Sequence, residues 1–204
     1  MTGSMDAYQL DSYQLLESYM MGQRSFERVD LRERDLVSLQ LSDAYLCWAD
    51  LTNTNLEHAQ LDRTDMTGAM MWRANLSRGS LKWVNLHRAV MVRCDAVATN
   101  FSGACLHRSD LRLANLRSAC FAGADLRGAK LCYSDLRGAD LTGANLTGAD
   151  LTGAKLTGAC LKAACWRAAS VHPTQIASAS AVEQVSEDKN SSEAFSSPRS
   201  LTAV

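Results

Sequence analysis

Residues 139–154 read Ala139-Asp-Leu-Thr-Gly-Ala-Asn-Leu-Thr-Gly-Ala-Asp-Leu-Thr-Gly-Ala154, one five-residue unit written three times in succession. Stepping outward by five from Leu141, an apolar residue recurs at Leu136, Leu131, Leu126, Phe121 and Leu116 on one side and at Leu146, Leu151, Leu156, Leu161 and Trp166 on the other. The phase holds back to Leu31 without a slip, which makes 28 consecutive units. Two residues before each centre a small side chain predominates, as at Ala44, Ala49, Ala59, Ala104, Ala124 and in fives from Ala139 to Ala164. Residues two apart in an extended chain point to the same side, so the small and the large residue of each unit face inward together and the other three face out.

A period of five fits neither a 3.6-residue helix nor plain alternation, so each unit is a short extended piece followed by a bend. Glycine stands two positions after the centre at Gly68, Gly103, Gly123 and Gly128 and in fives from Gly138 to Gly158. A tight turn there favours a residue without Cβ. The quoted stretch resembles the A(D/N)LXX motif of the pentapeptide-repeat family, and the likeness extends over residues 24–171, because Phe26 and Val171 keep the phase. The resemblance implies an all-β fold: a right-handed quadrilateral parallel β-helix of about seven coils, four pentapeptides to a coil, in which residues 20 apart stack. Its aliphatic interior is then the main source of stability, each buried Leu contributing about 1.5–3 kcal/mol.

An open β-helix exposes unpaired backbone and apolar rings at both ends, so both need covers. Leu15, Leu16, Tyr19 and Met20 stand at helical spacing before Gly22 and are read as a capping helix. The stretch Leu15-Leu-Glu-Ser-Tyr-Met-Met-Gly-Gln-Arg-Ser-Phe26 resembles the lead-in of cyanobacterial members of the family. At the other end Trp166, Val171 and Ile176 are placed over the last coil, and Ala177 to Val204, rich in Ser, Ala and Glu, reads as disordered. The expected segments are therefore 1–23, an N-terminal cap; 24–171, the β-helix; and 172–204, a cap remnant and tail. The terminal aromatics also leave open a homodimer formed through a rod end.

No apolar run approaches the roughly 18–20 residues that span a bilayer, and Met1–Leu10 lacks the charged and apolar regions of a secretory signal, so cytoplasmic residence is expected. Of the seven cysteines none lies 20 from another, so a disulfide between stacked positions is not expected. No phosphate-binding loop, nucleophile turn, zinc-protease motif or Cys-x-x-Cys is present. A rod filled with Leu and Ala offers no concavity for converging catalytic groups, so the chain is expected not to be an enzyme and to need no cofactor. His87 and His107 are 20 apart and stack, but two ligands are too few for a metal centre. The recurrent Asp and Asn before the centre, such as Asp50, Asn75, Asp125 and Asp140, are expected to bond local backbone at the bends.

Outward positions are free of the core's demands, and there the repeat departs from its pattern mainly between residues 70 and 113. Folded in fours, Met70 and Val90 share a column, Trp72 and Val92 a second, and Arg73, Arg93 and Leu113 a third, with Tyr133 extending it. The preceding bend stacks His87 on His107 and Arg88 on Arg108. Exposed apolar residues among Trp and Arg mark binding surfaces, so these twelve residues form the candidate contact face and another protein the expected partner. Some family members mimic acidic duplex DNA and protect type II topoisomerases. Residues 29–168, however, hold 17 Lys and Arg against 14 Asp and Glu, a net +3. A nucleic-acid-binding rod is the third option, and it lacks the aromatic platforms that single strands stack on.

Overall fold

The computed structural model describes residues 10–180. From Ser25 to Asp150, the residue before each apolar centre bridges in parallel to the residue 20 positions later, and Cys160↔Ser180 adds a last bridge. One coil is thus four pentads, and the coils stack into a β-helix with four sides. Side 1 is taken as the one whose centres include Leu51, Met71, Met91 and Leu111; sides 2, 3 and 4 follow in chain order.

The pentad Ala49-Asp50-Leu51-Thr52-Asn53 shows why these residues form a coil, because all five of its N–H groups find acceptors. The Ala49 N–H closes the bend on the Leu46 carbonyl at 3.1 Å. The Asp50 N–H donates back to the Val29 carbonyl of the previous coil at 2.9 Å, and those of Leu51 and Asn53 donate forward to the Met70 and Trp72 carbonyls at 2.7 and 2.9 Å. Only the Thr52 N–H lacks a backbone acceptor, and it donates to the Asp50 carboxylate at 3.0 Å. The Asp or Asn of the motif is therefore the acceptor for the one donor in five that stacking leaves over.

The centres and the small residues two before them are buried in one continuous core. Phe101 and Phe121 stack within it, ring centroids 5.0 Å apart. Where the small position is Thr or Ser the hydroxyl is satisfied internally, as Thr99 Oγ1 donates to the Leu76 carbonyl at 2.8 Å.

Every bend takes a left-handed residue, yet glycine supplies only part of them. Twenty non-glycine residues, from Arg28 to Ala168, hold φ between 54° and 61°. That conformation costs an L-residue about 1–2 kcal/mol, so stacking of the coils imposes the bend and glycine only eases it. At three corners glycine has a further reason. A Cβ at Gly68, Gly103 or Gly153 would fall within 2.5 Å of the ring of Trp48, Trp83 or Tyr133, the corner residue one coil earlier, which lies down over the glycine.

Helix α1 (Ser12–Met20) starts at a reciprocal cap in which Asp11 accepts from the Gln14 N–H and Gln14 from the Asp11 N–H. Leu15 enters the core, and Tyr19 donates its hydroxyl to the Ser42 carbonyl at 2.8 Å beneath the Arg24 guanidinium. Leu16 and Met20 turn out to solvent, contrary to the expected capping set, because only Leu15 and Tyr19, four apart, share the inward stripe. At the far end Trp166 and Val171 pack against the core, and backbone pairing continues to Ser180. A helix that the sequence reading does not include, α2 (Pro173–Ala177), covers the last coil: Gln175 Nε2 donates to the Leu151 and Ala154 carbonyls at 3.0 and 2.6 Å. Residues 177–180, read from sequence as part of a disordered tail, belong to this cover; the remainder of that stretch lies outside the described residues.

Phe101→Ala opens a cavity beside a stacked ring in this column, and a loss of about 3–5 kcal/mol is expected in urea unfolding. Gly143→Ala, with nothing within 4 Å of the new Cβ, should cost only the backbone strain of about 1 kcal/mol. Gly153→Ala should cost more because it also lifts the Tyr133 ring, and the excess should vanish in a Tyr133→Ala background, as a double-mutant cycle would read.

Candidate functional site

The position before the centre on side 1 reads Asp30, Asp50, Met70, Val90, Asp110, Lys130, Asp150 down the stack. Met70 and Val90 are bridged to one another and, with Lys130 further down, interrupt a column of acceptors. Between residues 25 and 170 no other position of this kind carries an aliphatic side chain. The substitution has a structural cost. The N–H groups of Trp72 and Val92, which an Asp or Asn would accept, have no acceptor among the described residues, whereas Thr52 and Arg112 on the same side have theirs.

The apolar strip is accessible: Met70 is 45 % exposed, Trp72 and Val90 37 %, and Val92 is half-buried. Its two edges are corners. Arg88 and Arg108 occupy the corner before side 1, and Arg73, Arg93, Leu113 and Tyr133 the corner after it; all six hold positive φ, which points their side chains outward. The Arg73 guanidinium lies 4.3 Å over the Trp72 ring. Backbone bonds from Arg73 to Val92, Arg93 to Arg112 and Leu113 to Cys132 set the register of the second corner. Tyr133, resting on Gly153, is the outlying member.

Charge divides unevenly among the arginines. In each Asp-Leu-Arg triplet, at residues 30–32, 110–112, 125–127 and 135–137, the guanidinium closes back on the carboxylate at 2.6–2.7 Å. Arg63 is held likewise by Asp43, 20 residues earlier. Arg88, Arg93 and Arg108 have no carboxylate partner among the described residues. The corners beside the apolar strip therefore keep unpaired guanidinium groups, a distribution that a residue count does not show.

His87 and His107 stack at 5.3 Å with planes 7° apart, on side 4 beside the first corner. The His107 carbonyl accepts from both the Arg88 N–H and His87 Nδ1, which places the His87 proton on Nδ1; His107 Nδ1 is buried without a partner. Among the described residues no three candidate metal ligands converge. The cysteines are unpaired. Burial pushes the Cys94 thiol up to about 12, and burial together with Asp65 pushes Cys47 up to about 11, so both are protonated and unreactive at neutral pH. The sequence reading missed Trp48, which is 54 % exposed and lies on the same corner column as Arg88 and Arg108. The signal was present as an aromatic 20 residues before Gly68, the same relation as Trp83 to Gly103. No described helix is long and apolar enough to cross a membrane.

Comparison with known proteins bears on the fold. A family model for pentapeptide repeats matches residues 40–78, 80–117 and 119–158, in eight copies. Among solved structures the chain is similar to HetL, a pentapeptide repeat protein involved in heterocyst differentiation regulation from the cyanobacterium Nostoc sp. strain PCC 7120. Identity is 27 % over 79 % of this chain and 94 % of that one, with a TM-score of 0.26. It is also similar to Rfr23, a pentapeptide repeat protein from the cyanobacterium Cyanothece 51142, at 20 % identity over 79 % and 95 %, TM-score 0.33. Full-length QnrB1, a plasmid-mediated fluoroquinolone resistance protein, matches at 16 % identity over 83 % and 92 %, TM-score 0.36. No curated protein matches.

Hydrogen bonds from Arg127 and Arg137 hold the Asp125 and Asp135 carboxyls below their ordinary 3.8. A depressed folded-state value means stability that is present above about pH 4 and is lost as pH falls through the depressed value. The pairs are open to solvent, so the effect is modest and salt-sensitive. Thermal midpoints measured from about pH 6 to pH 2 should fall less steeply in Arg127→Gln/Arg137→Gln than in the parent.

Proposed function

The chain belongs to the pentapeptide-repeat family, a family of right-handed β-helices, and from that premise we propose that it is a non-catalytic scaffold that docks another protein on side 1. The observation that carries this reading is the pair Met70 and Val90. At these positions the chain gives up the acceptor that many of its bends use and, there alone between residues 25 and 170, sets aliphatic side chains at the surface in its place. Breaking a local rule without a gain in folding is the mark of a site kept for another purpose. Trp72, Arg73, Val92 and Arg93 form the centre of the face, and His87, Arg88, His107, Arg108, Leu113 and Tyr133 its surround. Trp and Arg are the side chains that most often anchor protein interfaces.

DNA mimicry calls for carboxylates displayed outward, whereas this face displays arginines without acidic partners. Direct nucleic-acid binding would use the same arginines, but Trp72, the ring at the centre of the strip, is already covered by Arg73. The reading includes cytoplasmic residence, a reducing compartment suited to unpaired cysteines.

Met70→Asn with Val90→Asn tests the proposal in a way that simple damage does not imitate. Asn at this position accepts the bend N–H and ladders between coils, as Asn75 does on Asn55 at 3.0 Å. Stability in urea should be kept or raised by up to about 1 kcal/mol, while recovery of the partner from native extract is lost. Trp72→Ala with Arg93→Glu should lose it too. Capture at the parent level by both variants would remove side 1 from consideration, and protection of gyrase supercoiling by the parent protein would favour mimicry.

A further inference from the structure

Resting on the reading of side 1 as a docking face, we infer that the segment it receives is an amphipathic helix whose apolar stripe is bordered on both sides by carboxylates. Three observations carry this. First, the backbone of the stack is paired coil to coil, so no strand edge is offered along the sides and β-augmentation has nothing to add to. Recognition must run through side chains. Second, the two arginine corners are parallel columns along the rod axis, separated by one pentad. Five residues span at most about 17 Å, and a helix with its side chains is about 10–12 Å across. The space between the columns thus admits one helix along the axis and no second beside it, its stripe on Met70, Val90 and Val92 and its flanks against Arg88 and Arg108 on one side and Arg73 and Arg93 on the other.

Third, the charges near the strip are sorted. The two aspartates that end the Met70 and Val90 column face guanidinium groups, Asp110 paired to Arg112 at 2.7 Å and Asp50 lying 3.7 Å from Arg32. They do not neutralise the corners. The Trp72 and Val92 N–H groups are donors of the kind that meets a carboxylate or amide oxygen at most other bends of this rod, and an acidic side chain of the partner supplies the missing oxygen. Guanidinium–carboxylate pairs flanking a desolvated apolar strip give both orientation and rate of encounter.

The test uses the full chain and three synthetic helical peptides with one Leu stripe: Glu-flanked, Lys-flanked and Gln-flanked. Fluorescence anisotropy at low salt should show binding of the Glu-flanked peptide, weakened at least about tenfold in Arg88→Glu/Arg93→Glu and weakened by added salt. The reversed variant should bind the Lys-flanked peptide instead, a gain that misfolding cannot produce. Equal binding of the Glu- and Gln-flanked peptides, abolished by Val92→Asp, would overturn the carboxylate chemistry and leave the docking face standing. Binding untouched by Val92→Asp and by the charge reversal would overturn both. Absence of peptide binding, or tighter binding of duplex DNA than of the Glu-flanked peptide, would overturn the inference.

Discussion

The hydrogen-bond ladder between coils, in register every 20 residues, is the constraint from which the rest of the molecule follows. Each coil supplies acceptors for its neighbour, and the aliphatic column holds the coils at the spacing at which those bonds close. Because neighbours on both sides dictate the path, the chain holds left-handed corners at Arg, Trp, Leu and Tyr as readily as at Gly. An isolated pentapeptide would pay that strain without return. In the stack, cooperative pairing over-determines it.

This division of labour explains what the exterior is free to do. Of the three outward positions, the one before the centre serves the bend, the corner residue carries backbone strain, and the one between them has least to do for the fold. The last coils keep Asp or Asn, Thr and Gly in these places and are bland. Side 1 between residues 70 and 93 does not, and its departures lie next to one another only because the ladder brings residues 20 apart into contact. The same register explains the aromatic lids: Trp48, Trp83 and Tyr133 find open ground on the glycine one coil later.

Most of the interior was legible in the sequence. A strict five-residue phase can be satisfied only if every centre faces one axis, so Leu31 through Leu161 declare their burial individually. The acceptor role of Asp50 or Asn75 was legible too, since an Asp or Asn beside a bend bonds locally. The ends were less so. Leu16 and Met20 fit a helical pattern, but which stripe of a short amphipathic helix meets the coil depends on where the first coil lies. Helix α2 could not be foreseen from five residues opened by Pro173, because Gln175 earns its place only by reaching carbonyls more than 20 residues away.

Sequence alone thus determined the period, the buried column, the grouping of Met70, Val90, Trp72 and Val92 once coils of four were assumed, and the absence of known catalytic motifs. All of these are properties of spacing along the chain, which repetition makes unambiguous. Tertiary structure alone decided which arginines are neutralised, which backbone donors stay without an acceptor, and which aromatics lie down over glycine. These depend on side-chain directions and on distances between coils of a few ångströms, where a guanidinium either closes on a carboxylate or does not.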